Sequence, residues 1–136
     1  MSHHVSTVFN QGMSFTASIE NHTINMDSPE DGSPGTGAGP KKLLLAALAG
    51  CTGIDVVSIL NKMKVVFSGF SIDTTATLTE THPKIYDHVK ITYKIKLAEE
   101  DKPKMEKAVK LSEEKYCGVS AMFRAFAKLD VEIIYK

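Results

Sequence analysis

Residues 40–61 read PKKLLLAALAGCTGIDVVSILN, and the rest of the chain has to be organised around them. Proline suits the first turn of a helix, where its missing N–H would be unpaired anyway, so a helix is predicted from Pro40 to about Asn61. Leu43 to Ala49, followed by Ile54, Val56, Val57, Ile59 and Leu60, leave it almost no polar face. A helix apolar all round is buried, either inside a protein or in a bilayer. The span from Leu43 to Leu60 just reaches the lower limit for crossing a membrane, and it contains Thr52, Asp55 and Ser58. A central carboxylate is costly in lipid, so no membrane role is expected. The interior reading then requires cover on every side, and one small sheet covers only one. A second copy of the chain is the cheapest cover. Ala46, Ala47, Gly50 and Gly53 recur at three- and four-residue spacing, which favours another helix approaching across a twofold axis over packing on the chain's own sheet.

Strand patterns flank this helix. Phe15, Ala17 and Ile19 alternate with Thr16 and Ser18, and apolar positions resume at Ile24 and Met26, predicting a hairpin within Val5 to Asp27. Ser28 to Gly39 contains Pro29, Pro34 and four glycines, and reads as a surface loop without a phosphate-binding pattern. Val65 to Thr81 is rich in Val, Ile, Phe and Thr, while Val89, Ile91, Tyr93, Ile95 and Leu97 alternate with Lys90, Thr92, Lys94 and Lys96, predicting a sheet with one wet face. His82-Pro83 and Asp87-His88 bracket the connection, and both histidines read as solvated turn residues. Pro103 opens a helix with Met105, Ala108, Val109, Ser112 and Tyr116 on one stripe. A short apolar helix from Cys117 to Ala127 and a strand through Val131, Ile133 and Tyr135 complete the chain. The order β–β–α–β–β–α–α–β groups elements rather than alternating them, which predicts an α+β fold in one domain over residues 1–136.

Composition narrows the functions. The 136 residues are 43% apolar and 24% charged, with sixteen Lys+Arg against sixteen Asp+Glu. There is no basic surplus to hold a phosphate backbone, so no nucleic-acid role is expected. The start Met1-Ser2-His3-His4 has no apolar signal core, and two cysteines make no disulfide framework, so the expected compartment is the cytoplasm. His3 and His4 read as a frayed terminus; neither a metal cluster nor a cofactor motif is visible.

The chemistry therefore rests on Cys51 and Cys117. Cys51 lies mid-helix one turn from Asp55, where burial and a carboxylate both oppose ionisation. Cys117 stands at the expected start of the last helix, where exposed N–H groups favour a thiolate. Physics alone nominates Cys117 as the more acidic thiol. The blander reading makes both small core hydrophobes.

The run Gly39-Pro40-Lys41-Lys42-Leu43-Leu44-Leu45-Ala46-Ala47-Leu48-Ala49-Gly50-Cys51, continued by Thr52-Gly53-Ile54-Asp55-Val56-Val57, and the later Ser112-Glu113-Glu114-Lys115-Tyr116-Cys117-Gly118-Val119-Ser120, resemble the OsmC/Ohr family of osmotically induced and organic-hydroperoxide-resistance proteins. The resemblance covers nearly the whole chain. It implies an OsmC-like fold, with antiparallel sheets around a long buried central helix, in an intertwined homodimer with two sites at the interface. It also implies that Cys51 is the peroxidatic thiol and that Cys117 resolves its sulfenic acid as a disulfide, which a dithiol reductant, lipoyl-type in some members, resets. Family peroxidases activate the attacking thiolate with an arginine from the N-terminal strands and a glutamate after the helix-opening proline. Here Lys41 follows Pro40 and residues 1–123 contain no arginine. Arg124 lies about 10 Å beyond Cys117 along a helix and is expected to pair with a carboxylate or a partner chain. Compensation for Asp55 is expected from Lys62, Lys64 or Lys115 across the dimer. The implied activity is a thiol-dependent organic hydroperoxide reductase; the alternative is a non-catalytic redox sensor or small apolar ligand-binding dimer of the same fold.

Overall fold

Alternating patterns at the two ends of the chain build two separate sheets. The computed structural model describes residues 1–28, 33 and 35–136. They form two compact units, Met1–Leu44 and Leu45–Lys136.

In the first unit, β1 (Ser6–Phe9), β2 (Phe15–Ile19) and β3 (His22–Met26) form an antiparallel meander in that order. The hairpin expected from the pattern thus gains a third strand. Gly12, at φ 60°, allows the chain to reverse, and Asn10 N–H closes the turn on Ser14 O at 2.9 Å. Asp27 follows β3 and is buried. Its carboxylate accepts from Ser28 N at 2.7 Å, Thr36 N at 2.9 Å and Thr36 Oγ1 at 2.8 Å, and from the Ser33 hydroxyl. These donors, Ser33 first, hold the carboxyl well below the usual carboxylate range. Of the predicted loop Ser28 to Gly39, residues 29–32 and 34 lie outside the described residues.

In the second unit, β4 (Phe67–Leu78), β5 (Tyr86–Leu97) and β6 (Lys128–Tyr135) form a sheet in sequence order. β4 and β5 are antiparallel, but β5 and β6 run parallel, which corrects the expectation of purely antiparallel sheets. The intervening helices carry the chain back to the starting end of β5, as a parallel neighbour requires. The alternation in β5 holds: Val89, Ile91, Tyr93 and Ile95 are buried, while Lys90 and Lys94 reach Glu132 and Asp73. His88 belongs to β5 rather than to a turn, with Nε2 2.5 Å from Asp130 Oδ2 of β6.

Helix α1 spans Pro40–Lys62. Leu48, Thr52, Val56 and Leu60, one per turn, are buried, and the three apolar ones join β5 residues, Met105, Ala108, Val109 and Phe123 in the core. Each fully buried Leu or Val contributes about 1.5–3 kcal/mol relative to exposure. Among the described residues of one chain only this stripe of α1 is fully covered. Leu44 and Ile54 remain 50% and 73% exposed, so burial all round is not reached by a single copy. The two helical glycines separate: a Cβ on Gly53 would lie 3.0 Å from Ile72 Cδ1, so Gly53 serves the chain's own sheet, whereas Gly50 has open space. By length and composition alone α1 could cross a membrane, a test that core helices of soluble proteins also pass. It ends with Lys64 at φ 59°, Lys64 N bonded to Asn61 O and Val65 N to Leu60 O, which satisfies its last carbonyls.

Candidate active site

Helix α2 (Lys102–Leu111), with Pro103 in its first turn, opens into a π-helical turn over Ser112–Tyr116 before α3 (Gly118–Arg124). The wider turn shows in Cys117 N–H, which bonds Ser112 O five residues back at 2.8 Å. It interrupts the 3.6-residue period. Ser112 stays buried with Met105, Ala108 and Val109, but Tyr116, predicted on the same stripe, is 54% exposed. π-turns concentrate at functional sites because they re-aim side chains without ending the helix.

Here the turn delivers Cys117 to Cys51. Cys51 lies on α1, partly buried, with Asp55 one turn later on the same face. The two sulfurs and an Asp55 carboxylate oxygen all lie within 4.8 Å of one another. Residues predicted as a pair from positions 51 and 117 therefore share one site. Cys117 caps α3, its sulfur accepting from Ser120 N at 3.3 Å as a helix start allows. Its acidity does not follow, however. Burial pushes the thiol up and Cys51 adds to that, against the opposing hydrogen bond from Ser120 N. The acidity predicted for Cys117 from its place at a helix start is thus not realised, because desolvation outweighs a seven-residue helix. The Ser120 hydroxyl is itself buried without a hydrogen-bond partner among the described residues.

Away from the thiols runs a chain of side-chain oxygens. Ser112 Oγ donates to Asp55 Oδ2 at 3.0 Å and lies 2.9 Å from Thr52 Oγ1, which lies 2.6 Å from Tyr93 Oη. Tyr93 donates to Glu113 Oε1 at 3.1 Å, and Arg124 holds Glu113 through Oε2 at 3.1 Å and through its carbonyl oxygen. Burial is the main force raising the Tyr93 phenol above its usual value, so it serves as a proton donor. Four contacts join Asp55 to Glu113, and three hydroxyls supply only three hydrogens. One further proton, arriving at Asp55, would turn every hydroxyl toward Glu113 and complete the chain. Arg124 is thereby tied to a carboxylate of its own chain.

Comparison with known proteins places the chain. The sequence profile of OsmC-like proteins matches residues 32–132. The chain is 32% identical over 114 residues to Protein YhfA of Escherichia coli K12, covering 82% of each. It belongs to the OsmC-like family. Among solved structures, a hypothetical protein of Aquifex aeolicus VF5 superposes with a TM-score of 0.87 at 29% identity, over 100% of this chain and 97% of the other. The organic hydroperoxide resistance protein OhrB of Bacillus subtilis shares the fold, with a TM-score of 0.64 at 16% identity over 98% of both chains.

In this OsmC-like protein the site opens beside a cavity of about 490 Å³ lined by Asp55, Ser58, Ile59, Lys62, Met63, Lys107, Leu111 and Tyr116. Of the lysines expected near Asp55, Lys62 lines the cavity. Within its own chain Lys115 sits over the Tyr116 ring at 5.3 Å, and Lys64 takes the cap of α1. Sequence reasoning missed Thr52, Tyr93, Glu113 and Lys107 as site residues. Two of the network's hydroxyls had left a trace, because Thr52 and Ser112 are polar residues on otherwise apolar helix stripes, where a buried hydrogen bond is required.

Proposed function

We propose that this protein is a thiol-dependent reductase of organic hydroperoxides, acting as a homodimer in the cytoplasm with a dithiol of the lipoyl class as reductant. The observation carrying the reading is the convergence of Cys51, Cys117 and Asp55 within 4.8 Å. Asp55 takes the Cys51 proton, directly or through one water, which completes the hydroxyl chain toward Glu113. The Cys51 thiolate attacks the distal peroxide oxygen and the O–O bond breaks. Cys51 becomes a sulfenic acid, and the alkoxide takes a proton to leave as the alcohol. Cys117, deprotonated, attacks Cys51 sulfur; an S–S bond forms and hydroxide departs as water after protonation. The dithiol then returns both thiols and is itself oxidised to a disulfide. Dimerisation draws support from the uncovered face of α1, where Gly50, Gly53, Ile54, Val57 and Asn61 line an apolar groove with Phe70. A free dithiol resting state suits a reducing compartment.

A redox sensor is the second reading, favoured by the raised Cys117 thiol, which slows resolution. The two separate by turnover. Under an excess of dihydrolipoamide the wild type consumes many equivalents of cumene hydroperoxide per chain, and Cys51→Ser reduces consumption to the thiol-free background. Oxidation that stops at one equivalent per chain assigns the sensor; no loss of either thiol under peroxide refutes both.

A further inference from the structure

We infer that the reduced thiol pair is also a binding site for a borderline-soft divalent cation of the zinc class, held by Cys51, Asp55 and Cys117. A tetrahedral zinc ion bound at the usual Zn–S and Zn–O lengths places such ligand atoms roughly 3.5–3.8 Å apart. Here all three lie within 4.8 Å before any ion draws them in. Shortening by about 1 Å is within the reach of side-chain rotation on fixed helices. Two sulfurs and one carboxylate select zinc-like ions over magnesium or calcium, which take oxygen ligands.

Three further features favour a cation. Ser112 Oγ already donates to one oxygen of Asp55, the outer support that orients a metal-bound carboxylate. Ser120 N–H donates to Cys117 sulfur, and the buried, unpartnered Ser120 hydroxyl is a donor still unused among the described residues. The N–H bond stabilises a thiolate. Two thiolates and a carboxylate around a dication leave one net negative charge, and Lys62 and Lys107 line the cavity that Asp55 shares. Three protein ligands leave a fourth position for water, the arrangement of zinc sites that are not purely structural.

Binding releases the two thiol protons. A hydroperoxide that joins the sulfurs as a disulfide takes their two electrons and leaves as alcohol and water; both thiolate donors are lost, so this oxidation expels the ion, and the bound ion shields the thiols from the hydroperoxide. The inference requires only the reduced pair and stands whether or not the protein turns over peroxide.

The experiment is anaerobic titration of the reduced full-length chain with Co(II), followed by Zn(II) competition. The expected result is one equivalent per chain, with thiolate-to-cobalt charge-transfer bands and the visible bands of tetrahedral cobalt, all removed by zinc. Cys51→Ser and Cys117→Ser abolish the charge-transfer bands, Asp55→Asn weakens binding at least about tenfold, and the disulfide form of the unaltered sequence takes up no metal. Uptake that persists in the disulfide form, or that lacks thiolate bands, overturns the inference and assigns the ion elsewhere, such as His3 and His4. No uptake by the reduced protein overturns it outright.

Discussion

Two carboxylates, Asp27 and Asp55, sit among serines and threonines, yet their surroundings differ in kind. Asp27 accepts four hydrogen bonds from Ser28, Ser33 and Thr36, all within nine residues of it. Its acceptor capacity is filled and its charge is fixed. Asp55 accepts one bond among the described residues, from Ser112 fifty-seven positions away, and faces two sulfurs. The first carboxylate organises its own loop. The second retains lone pairs for a proton or a cation, which is what reactivity requires.

Exchanging each carboxylate for its amide gives the largest effects, in opposite columns. Asp55→Asn lowers the rate of Cys51 oxidation by about 10²-fold or more, measured by stopped-flow loss of free thiol, and leaves the melting temperature nearly unchanged. Asp27→Asn leaves thiol oxidation unchanged and lowers thermal stability. A carboxyl held below its ordinary value stabilises the fold fully above an unfolded value of about 3.9, and loses that contribution as pH falls through the native one. The amide therefore flattens the acid limb of a stability profile. If Asp27→Asn slows the thiols as much as Asp55→Asn does, the distinction collapses.

Thr52→Val sharpens the comparison at the next level down. It removes the central hydroxyl, costs about 0.5–1.5 kcal/mol of stability, and slows oxidation by up to about tenfold if that energy is lost from the transition state. Thr52→Ser restores the rate. Because a relay fails at any broken link, Tyr93→Phe combined with Thr52→Val is no slower than the worse single variant, whereas independent packing defects would multiply. Arg124→Gln produces the smallest change. Its pair with Glu113 is 41% exposed on the arginine side, so a stability loss below about 1 kcal/mol is expected in chemical denaturation, with thiol oxidation slowed less than in Thr52→Val.

Much of the architecture was legible because it depends on local periodicity. Pro40 and the following apolar run placed α1 to within one residue of its observed end at Lys62. Strict alternation placed β5 with its buried face correctly assigned. The misreadings share a cause. The third strand of the first sheet, the parallel pairing of β6 and the π-turn at Ser112–Tyr116 each depend on where a segment's partner lies, which residue order near the segment does not record. His88 was misplaced for the same reason, since Asp130 lies across the sheet.

The sequence by itself determined the α+β class, the central helix and the two cysteines as the residues to watch, because hydrophobic periodicity and thiol chemistry are properties of the chain as written. Only the tertiary structure decided that these sulfurs meet, that Asp55 joins them, and that three hydroxyls from α1, β5 and the π-turn link that carboxylate to Glu113. Proximity between residues some sixty positions apart is set by packing across the whole second unit, and packing also decided that Cys117 is desolvated, which pushes its thiol up.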